Sequence, residues 1–211
     1  MKFKNRTEAG KLLAKKLIHH QNKHNILILA LPRGGVPVAF PIAKKLHVPL
    51  DLLLVKKIGV VGYDELAMGA IVFNAPPIFN QEILQQYPVT PEKLNEMIAE
   101  KQAILQERNK LYRHNKPAPD SKNKIVIIVD DGIATGASMR AAILAIKNQQ
   151  PKKIIVAIPV ADKAICDELA QIADEVICLY QPKSLSAVGQ WYEDFTQTSD
   201  TEVVTLLAKL E

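Results

Sequence analysis

Apolar residues follow two patterns along this chain: short unbroken runs, and longer stretches in which they return every three or four positions. Ile26-Leu27-Ile28-Leu29-Ala30-Leu31 is one unbroken run, with the length and composition of a strand buried on both faces. Residues 50–56, 125–129, 153–160 and 175–179 read as further strands. Helical spacing governs the segments between them. Ala9, Leu12, Leu13 and Leu17 mark a helix over 5–23, and others are expected over 36–46, 137–148 and 163–173. Pro37 fits the second of these because a first helical turn tolerates proline. Thr90-Pro91-Glu92 supplies a capping hydroxyl, a first-turn proline and an early acid, so a long helix begins there. Its apolar stripe runs through Leu94, Met97, Ile98, Ile104, Leu105, Leu111 and Tyr112 until Pro117 and Pro119 close it. A small strand pair is expected over 70–73 and 77–80, and Ser199 with Glu202 has capping-box spacing for a last helix.

Strands that alternate with helices predict an α/β chain with a doubly wound, mostly parallel sheet. Residues 1–211 then form a single domain, with a helical insert at about 74–122 and a small hood-like C-terminal segment at about 181–211. Ligands in such sheets bind outside the carboxyl ends of the strands. Two segments at those ends carry chemistry.

The first is Val129-Asp130-Asp131-Gly132-Ile133-Ala134-Thr135-Gly136-Ala137-Ser138, where a buried strand ends in two carboxylates and a helix begins after a Gly/Thr/Gly/Ser turn. N–H groups in a first helical turn have no internal partner and face a bound anion. Glycines let the backbone wrap a phosphate closely, and Thr135 and Ser138 add hydroxyls. The carboxylates suit sugar hydroxyls or the water shell of a magnesium ion. No lysine follows Gly136, which excludes a Walker loop, and the Gly-x-Gly-x-x-Gly fingerprint of dinucleotide folds is absent here. The alternative is a tight strand-to-helix turn capped by Asp and Thr.

The second segment is Pro32-Arg33-Gly34-Gly35, with one cation and exposed N–H groups suited to pyrophosphate, or else a plain turn with a solvated arginine. Lys56-Lys57 follows the next predicted strand, and Gly59 and Gly62 interrupt the charged stretch up to Glu65.

A net charge of +5 is compatible with anionic ligands. The basic residues are dispersed and aromatics make up 5% of the chain, which favours a small polyanion over nucleic acid. The N-terminal sequence lacks the apolar run of a signal peptide, and the apolar runs are too short to span a membrane. Two cysteines, Cys166 and Cys178, offer neither a disulfide framework nor metal-ligand spacing, and a cytoplasmic location fits. The five histidines converge on no motif.

The loop at 129–138 resembles the phosphoribosyl-pyrophosphate signature of type I phosphoribosyltransferases. Phe3-Lys4-Asn5-Arg6-Thr7-Glu8-Ala9-Gly10, the stretch 30–39, Glu65-Leu66-Ala67-Met68-Gly69-Ala70 and Val188-Gly189-Gln190-Trp191-Tyr192 are similar to one subfamily of bacterial phosphoribosyltransferases. The resemblance implies that residues 132–138 cradle a 5′-phosphate. It implies that Asp130 and Asp131 address the ribose hydroxyls, partly through Mg2+, and that Arg33, Gly34 and Gly35 form a pyrophosphate loop. It places one lysine of the pair, Lys57 rather than Lys56, near the pyrophosphate, and makes 59–65 a mobile loop with Glu65 as a candidate catalytic acid. The expected function is a magnesium-dependent transfer of ribose 5-phosphate from phosphoribosyl pyrophosphate to an acceptor, expected to be a nucleobase, by a homodimer. The alternative is a protein that senses the same ligand.

Two features stay open. Lys101 and Arg108 interrupt the apolar stripe of the long helix and either snorkel at a core edge or point toward anions. Trp191, Tyr192 and Phe195 either anchor the C-terminus or form a platform for a base.

Overall fold

The computed structural model describes residues 2–210, apart from the side chains of Asp64 and Glu65. The chain runs α1 (Arg6–Lys16), β1 (Ile26–Ala30), α2 (Gly35–Leu46), β2 (Leu50–Leu52), β3 (Val55–Val60), β4 (Tyr63–Val72), β5 (Ile78–Phe79) and α3 (Gln81–Gln86). It continues through α4 (Pro91–Arg113), β6 (Ile125–Val129), α5 (Ala137–Lys147), β7 (Lys153–Val160), α6 (Lys163–Leu169), β8 (Glu175–Tyr180) and α7 (Asp200–Ala208).

Five strands form a parallel sheet in the order β2-β1-β6-β7-β8. The unbroken apolar runs are explained by its two covered faces. Ile26, Ile28, Ala30, Ile127, Val129, Ile155 and Ala157 pack on one side with residues of α1 and α2. The alternate residues Leu27, Leu29, Val126, Ile128, Ile154 and Val156 pack on the other with α5 and α6. Side chains one residue apart point to opposite faces of a strand, so a run that is apolar throughout can feed two cores. The expected doubly wound α/β sheet is borne out, and β1 and β6 are parallel neighbours in it.

The second strand differs from its prediction. Residues 50–56 look like one run, yet Leu50–Leu52 joins the parallel sheet while Val55–Val60 leaves it for a separate three-stranded antiparallel sheet, β3-β4-β5. The reason is tertiary: Leu52, Leu53 and Leu54 are all buried while the chain changes sheets, so burial continues through the break. Lys56 and Lys57 therefore lie inside β3 rather than at the end of a core strand. The stretch expected as a mobile loop, 59–65, is the turn of the β3–β4 hairpin, with the pairing shifted around Gly59 and Gly62 at φ +82°. The expected pair over 70–73 and 77–80 appears as β4 against β5.

Helix α4 starts at the predicted cap, with Thr90 accepting from the Lys93 N–H at 3.3 Å. It packs against β3, β4 and α7. Its C-terminal end is fastened to the main sheet by Arg113, whose guanidinium grips Asp51 of β2 through two bonds of 2.7 and 2.8 Å. Arg113 also donates to Asn109 Oδ1 and to the carbonyls of Lys116 and Pro117. The segment before α1 is tied to residues 191–193 as well: Phe3 N–H donates to the Trp191 carbonyl, and Glu193 N–H to the Phe3 carbonyl. Among the described residues no helix is long and apolar enough to cross a membrane.

Candidate active site

The strand order places β1 and β6 side by side at the point where the winding reverses. Crossovers from β1 lead outward to β2, and those from β6 lead the other way to β7 and β8. Turns after such neighbours diverge to opposite faces of the sheet and leave a crevice between them. The two chemistry-bearing segments of the sequence are these two turns.

They touch. A methyl group added at Gly34 would lie 2.0 Å from Asp131 Oδ2, and one at Gly35 would lie 2.6 Å from the Val129 carbonyl oxygen. Glycine is needed at both positions so that the 32–35 turn can lie directly on the end of β6. The Pro32–Arg33 peptide bond is cis. Arg33 itself points away from the carboxylates toward α7, with its Nη1 3.4 Å from Asp200 Oδ1.

Past β6 the chain makes a turn rather than entering a helix at once. Asp130 Oδ1 accepts the Asp131 N–H at 2.8 Å, and Ile133 N–H bonds to the Val160 carbonyl at the end of β7. Gly136, at φ +76°, then redirects the chain into α5. No side chain caps the first turn of α5, where Ala137 and Ser138 lie. Arg140 steadies the turn from behind, donating to the Thr135 carbonyl at 2.8 Å and to Glu168 at 2.7 Å. Ala134 and Thr135 are exposed, so the turn faces solvent.

The two aspartates are treated differently by their surroundings. Arg6, the first residue of α1, donates its Nε proton to Asp131 Oδ2 at 2.7 Å, with both side chains largely buried. The same guanidinium lies 3.9 Å from the centre of the Phe195 ring and donates to the Thr196 carbonyl at 2.8 Å. Tyr192 donates its hydroxyl to the Asp131 carbonyl at 2.6 Å. Asp130 has no basic side chain bonded to it among the described residues. Burial pushes its carboxyl well above the usual range, and the neighbouring charge of Asp131 adds to the rise. Burial also raises Asp131, against the opposing pull of Arg6.

The structure thus brings together Gly34, Gly35, Asp130, Asp131 and the turn Gly132, Ile133, Ala134, Thr135, Gly136, Ala137, Ser138, whereas Arg33 joins this group through its backbone and turns its side chain to Asp200. Lys56 and Lys57 stand on opposite faces of the hairpin strand β3; the charges of Arg108, Lys101 and Arg33 act on Lys56. The Glu65 side chain lies outside the described residues. Sequence reasoning assigned no role to Arg6, though a signal was present. A cation in the first turn of a helix is disfavoured by the helix dipole unless a carboxylate claims it. The aromatic cluster packs: Tyr192 and Phe195 clasp Arg6 and Asp131, while Phe3 and Tyr180 complete the group.

In doubly wound sheets ligands bind in the crevice at the switch point, and a glycine-containing turn that opens a helix there suits a phosphate group. The family model described as "Phosphoribosyl transferase domain" matches residues 3–189, and the chain belongs to that family. A protein of Mycobacterium tuberculosis named "Putative phosphoribosyl transferase Rv0571c" is 40% identical over 205 residues, which is 97% of this chain and 46% of that protein. The chain thus spans about half the length of the curated relatives it matches. The crystal structure of TT1426 from Thermus thermophilus superposes with a TM-score of 0.86 at 36% identity, covering 100% of this chain and 99% of that one. The AQ2163 protein from Aquifex aeolicus shares the fold, with a TM-score of 0.54 at 12% identity over 96% of this chain and 86% of its own.

Proposed function

We propose that this chain is a magnesium-dependent phosphoribosyltransferase that moves ribose 5-phosphate from phosphoribosyl pyrophosphate to a nucleobase and releases pyrophosphate. The observation that carries the reading is the contact between the 32–35 turn and the Asp130–Asp131 end of β6 at the switch point, where Gly34 leaves room for the Asp131 carboxylate alone. Family membership supports the same donor.

The N–H groups of 134–138 hold the 5′-phosphate at the uncapped start of α5, while that of Ile133 stays bonded to the Val160 carbonyl. Asp130 and Asp131 accept hydrogen bonds from the ribose hydroxyls, and Arg6 keeps Asp131 oriented for that task. Arg33 binds the pyrophosphate as it departs, and Gly34 and Gly35 allow its oxygens close to the backbone. Attack on C1 of the ribose passes through a cationic ring, so the task of the protein is to align donor and acceptor, hold the leaving group and exclude water. The β3–β4 hairpin, which carries Glu65, is the element available to cover the centre.

The residues present fit magnesium in part. Asp131 already satisfies Arg6 with one oxygen, whereas Asp130 is a crowded carboxylate without a cation, and a hydrated divalent ion needs only one or two carboxylates plus substrate oxygens. When bound, the ion would neutralise pyrophosphate charge. A cytoplasmic homodimer belongs to the same proposal; two free thiols fit a reducing compartment, and sedimentation would read the oligomer.

The test is calorimetry of phosphoribosyl pyrophosphate in magnesium buffer. Saturable binding that ribose 5-phosphate competes away is expected. No heat at millimolar donor would refute the reading.

A further inference from the structure

Arg33 and Tyr112 bond to the same atom, Asp200 Oδ1. Asp200 is the first residue of α7 and Tyr112 lies near the end of α4, so three elements converge on one carboxylate beside the 32–35 turn. Arg108 stands one helical turn before Tyr112, and Lys101 two turns before Arg108, so these residues share the side of α4 on which Leu105 and Tyr112 are buried. Strand β3 packs against this helix. Its Lys56 ammonium is pushed below its usual value, first by burial and then by the charges of Arg108, Lys101 and Arg33.

Among the described residues the charges do not balance. Four cations gather here, while Asp200 is already shared by Arg33 and Tyr112, and Lys101 reaches only its exposed neighbour Glu100 at 2.9 Å. Lys56 and Arg108 have no hydrogen bond or ion pair among the described residues. Half-buried like charges repel one another and bring the fold no benefit. A compact, multiply charged anion would remove the repulsion.

We propose that the helical insert is part of the binding site: Lys101 and Arg108 of α4 join Lys56 and Arg33 in holding a pyrophosphate-class anion, and Asp200 is the internal counter-anion that this ligand displaces. Only the source of the anion, the donor's pyrophosphate end, rests on the transferase reading. Asp200 keeps Arg33 neutralised in the free protein, and incoming pyrophosphate exchanges one carboxylate for several oxygens that reach Arg108 and Lys56 as well. The insert thereby recognises the leaving-group end of the donor and ignores its 5′-phosphate end.

The experiment is titration of the full chain with inorganic pyrophosphate and, separately, ribose 5-phosphate. Arg108→Gln should weaken pyrophosphate about tenfold, the value of one charge-assisted hydrogen bond, and Arg108→Lys should recover part of that loss. Asp200→Asn should tighten pyrophosphate by removing its competitor. Lys147→Gln, on the exposed end of α5, should change nothing, and ribose 5-phosphate affinity should stay constant throughout. The proposal is overturned if the wild-type chain fails to bind pyrophosphate, if Arg108→Gln binds it unchanged, or if that variant loses both ligands equally. Expected pyrophosphate behaviour without transferase turnover would leave this site standing and remove the transferase reading. Turnover with an unaltered Arg108→Gln variant would do the reverse.

Discussion

Replacing Arg6 with methionine should destabilise the fold as much as a core truncation would. Arg6 is 11% exposed and Asp131 16%, so their 2.7 Å bond is made largely out of water. A charge-assisted hydrogen bond of this kind contributes about 1.5–3 kcal/mol. The bond to the Thr196 carbonyl adds about 1 kcal/mol, and the guanidinium over Phe195 about 0.5–2 kcal/mol. The buried carboxylate left behind raises the cost, although Asp131 can lower it by taking up a proton, as its upward shift indicates. The expected loss is about 3–5 kcal/mol, or very roughly a 6–20 °C fall in Tm for a chain of this size. Chemical denaturation of Arg6→Met, Asp131→Asn and the double variant would isolate a coupling of about 1.5–3 kcal/mol. A single-mutant loss below about 1 kcal/mol, or a coupling near zero, would refute the claim that this bridge ties α1 to the end of β6.

Asp130→Asn should act oppositely on stability and binding. It relieves a crowded, desolvated carboxylate, so thermal melts should show an equal or higher Tm while magnesium-dependent donor affinity drops; a lower Tm would contradict the crowding. Arg113→Leu removes the grip on Asp51 and leaves that acid unpaired, which should cost about 3–5 kcal/mol in urea denaturation; a loss under about 1 kcal/mol would show that α4 is held by other contacts. His20 is buried with neither ring nitrogen bonded, and burial, then the charges of His19 and Lys23, hold its pKa down to about 4 from 6.5, with Glu175 opposing and Lys153 adding slightly. The unfolded chain therefore binds the proton first, so this group's contribution is complete above pH 6.5 and disappears as pH falls toward 4. His20→Leu should flatten that part of the stability profile, and an unchanged slope would refute the assignment.

The parts of the fold that the sequence made legible are those dictated by burial over short range. The 26–31 and 125–129 runs announce strands because both faces of the sheet are covered, and Thr90-Pro91-Glu92 announces α4 because a helix start is a local event. The split at Leu53 and Leu54 was hidden because those residues stay buried while the chain changes sheets. Both glycine-containing turns could be located from composition, since glycine and aspartate at strand ends are a local signal. Their supports could not: Arg6 reaches Asp131 across 125 positions, and Asp200 reaches Arg33 across 167. Long-range pairing of charges leaves no period in a sequence, so the spacing of the stripe-breaking residues Lys101 and Arg108 could not reveal that their charges act on Lys56 of β3. The aromatic residues at 191–195 were ambiguous for the same reason, and packing around Arg6 and Phe3 accounts for Tyr192 and Phe195.

The central claim is that the two turns at the switch point hold phosphoribosyl pyrophosphate for transfer. Its most direct test follows pyrophosphate release from that donor, in magnesium buffer, across a panel of purine and pyrimidine bases. The account predicts release that depends on one or a few of these bases and is suppressed in both Asp130→Asn and Arg33→Ala. Donor binding with no release from any base would contradict transfer and leave a sensor, and release unchanged in both variants would contradict the site.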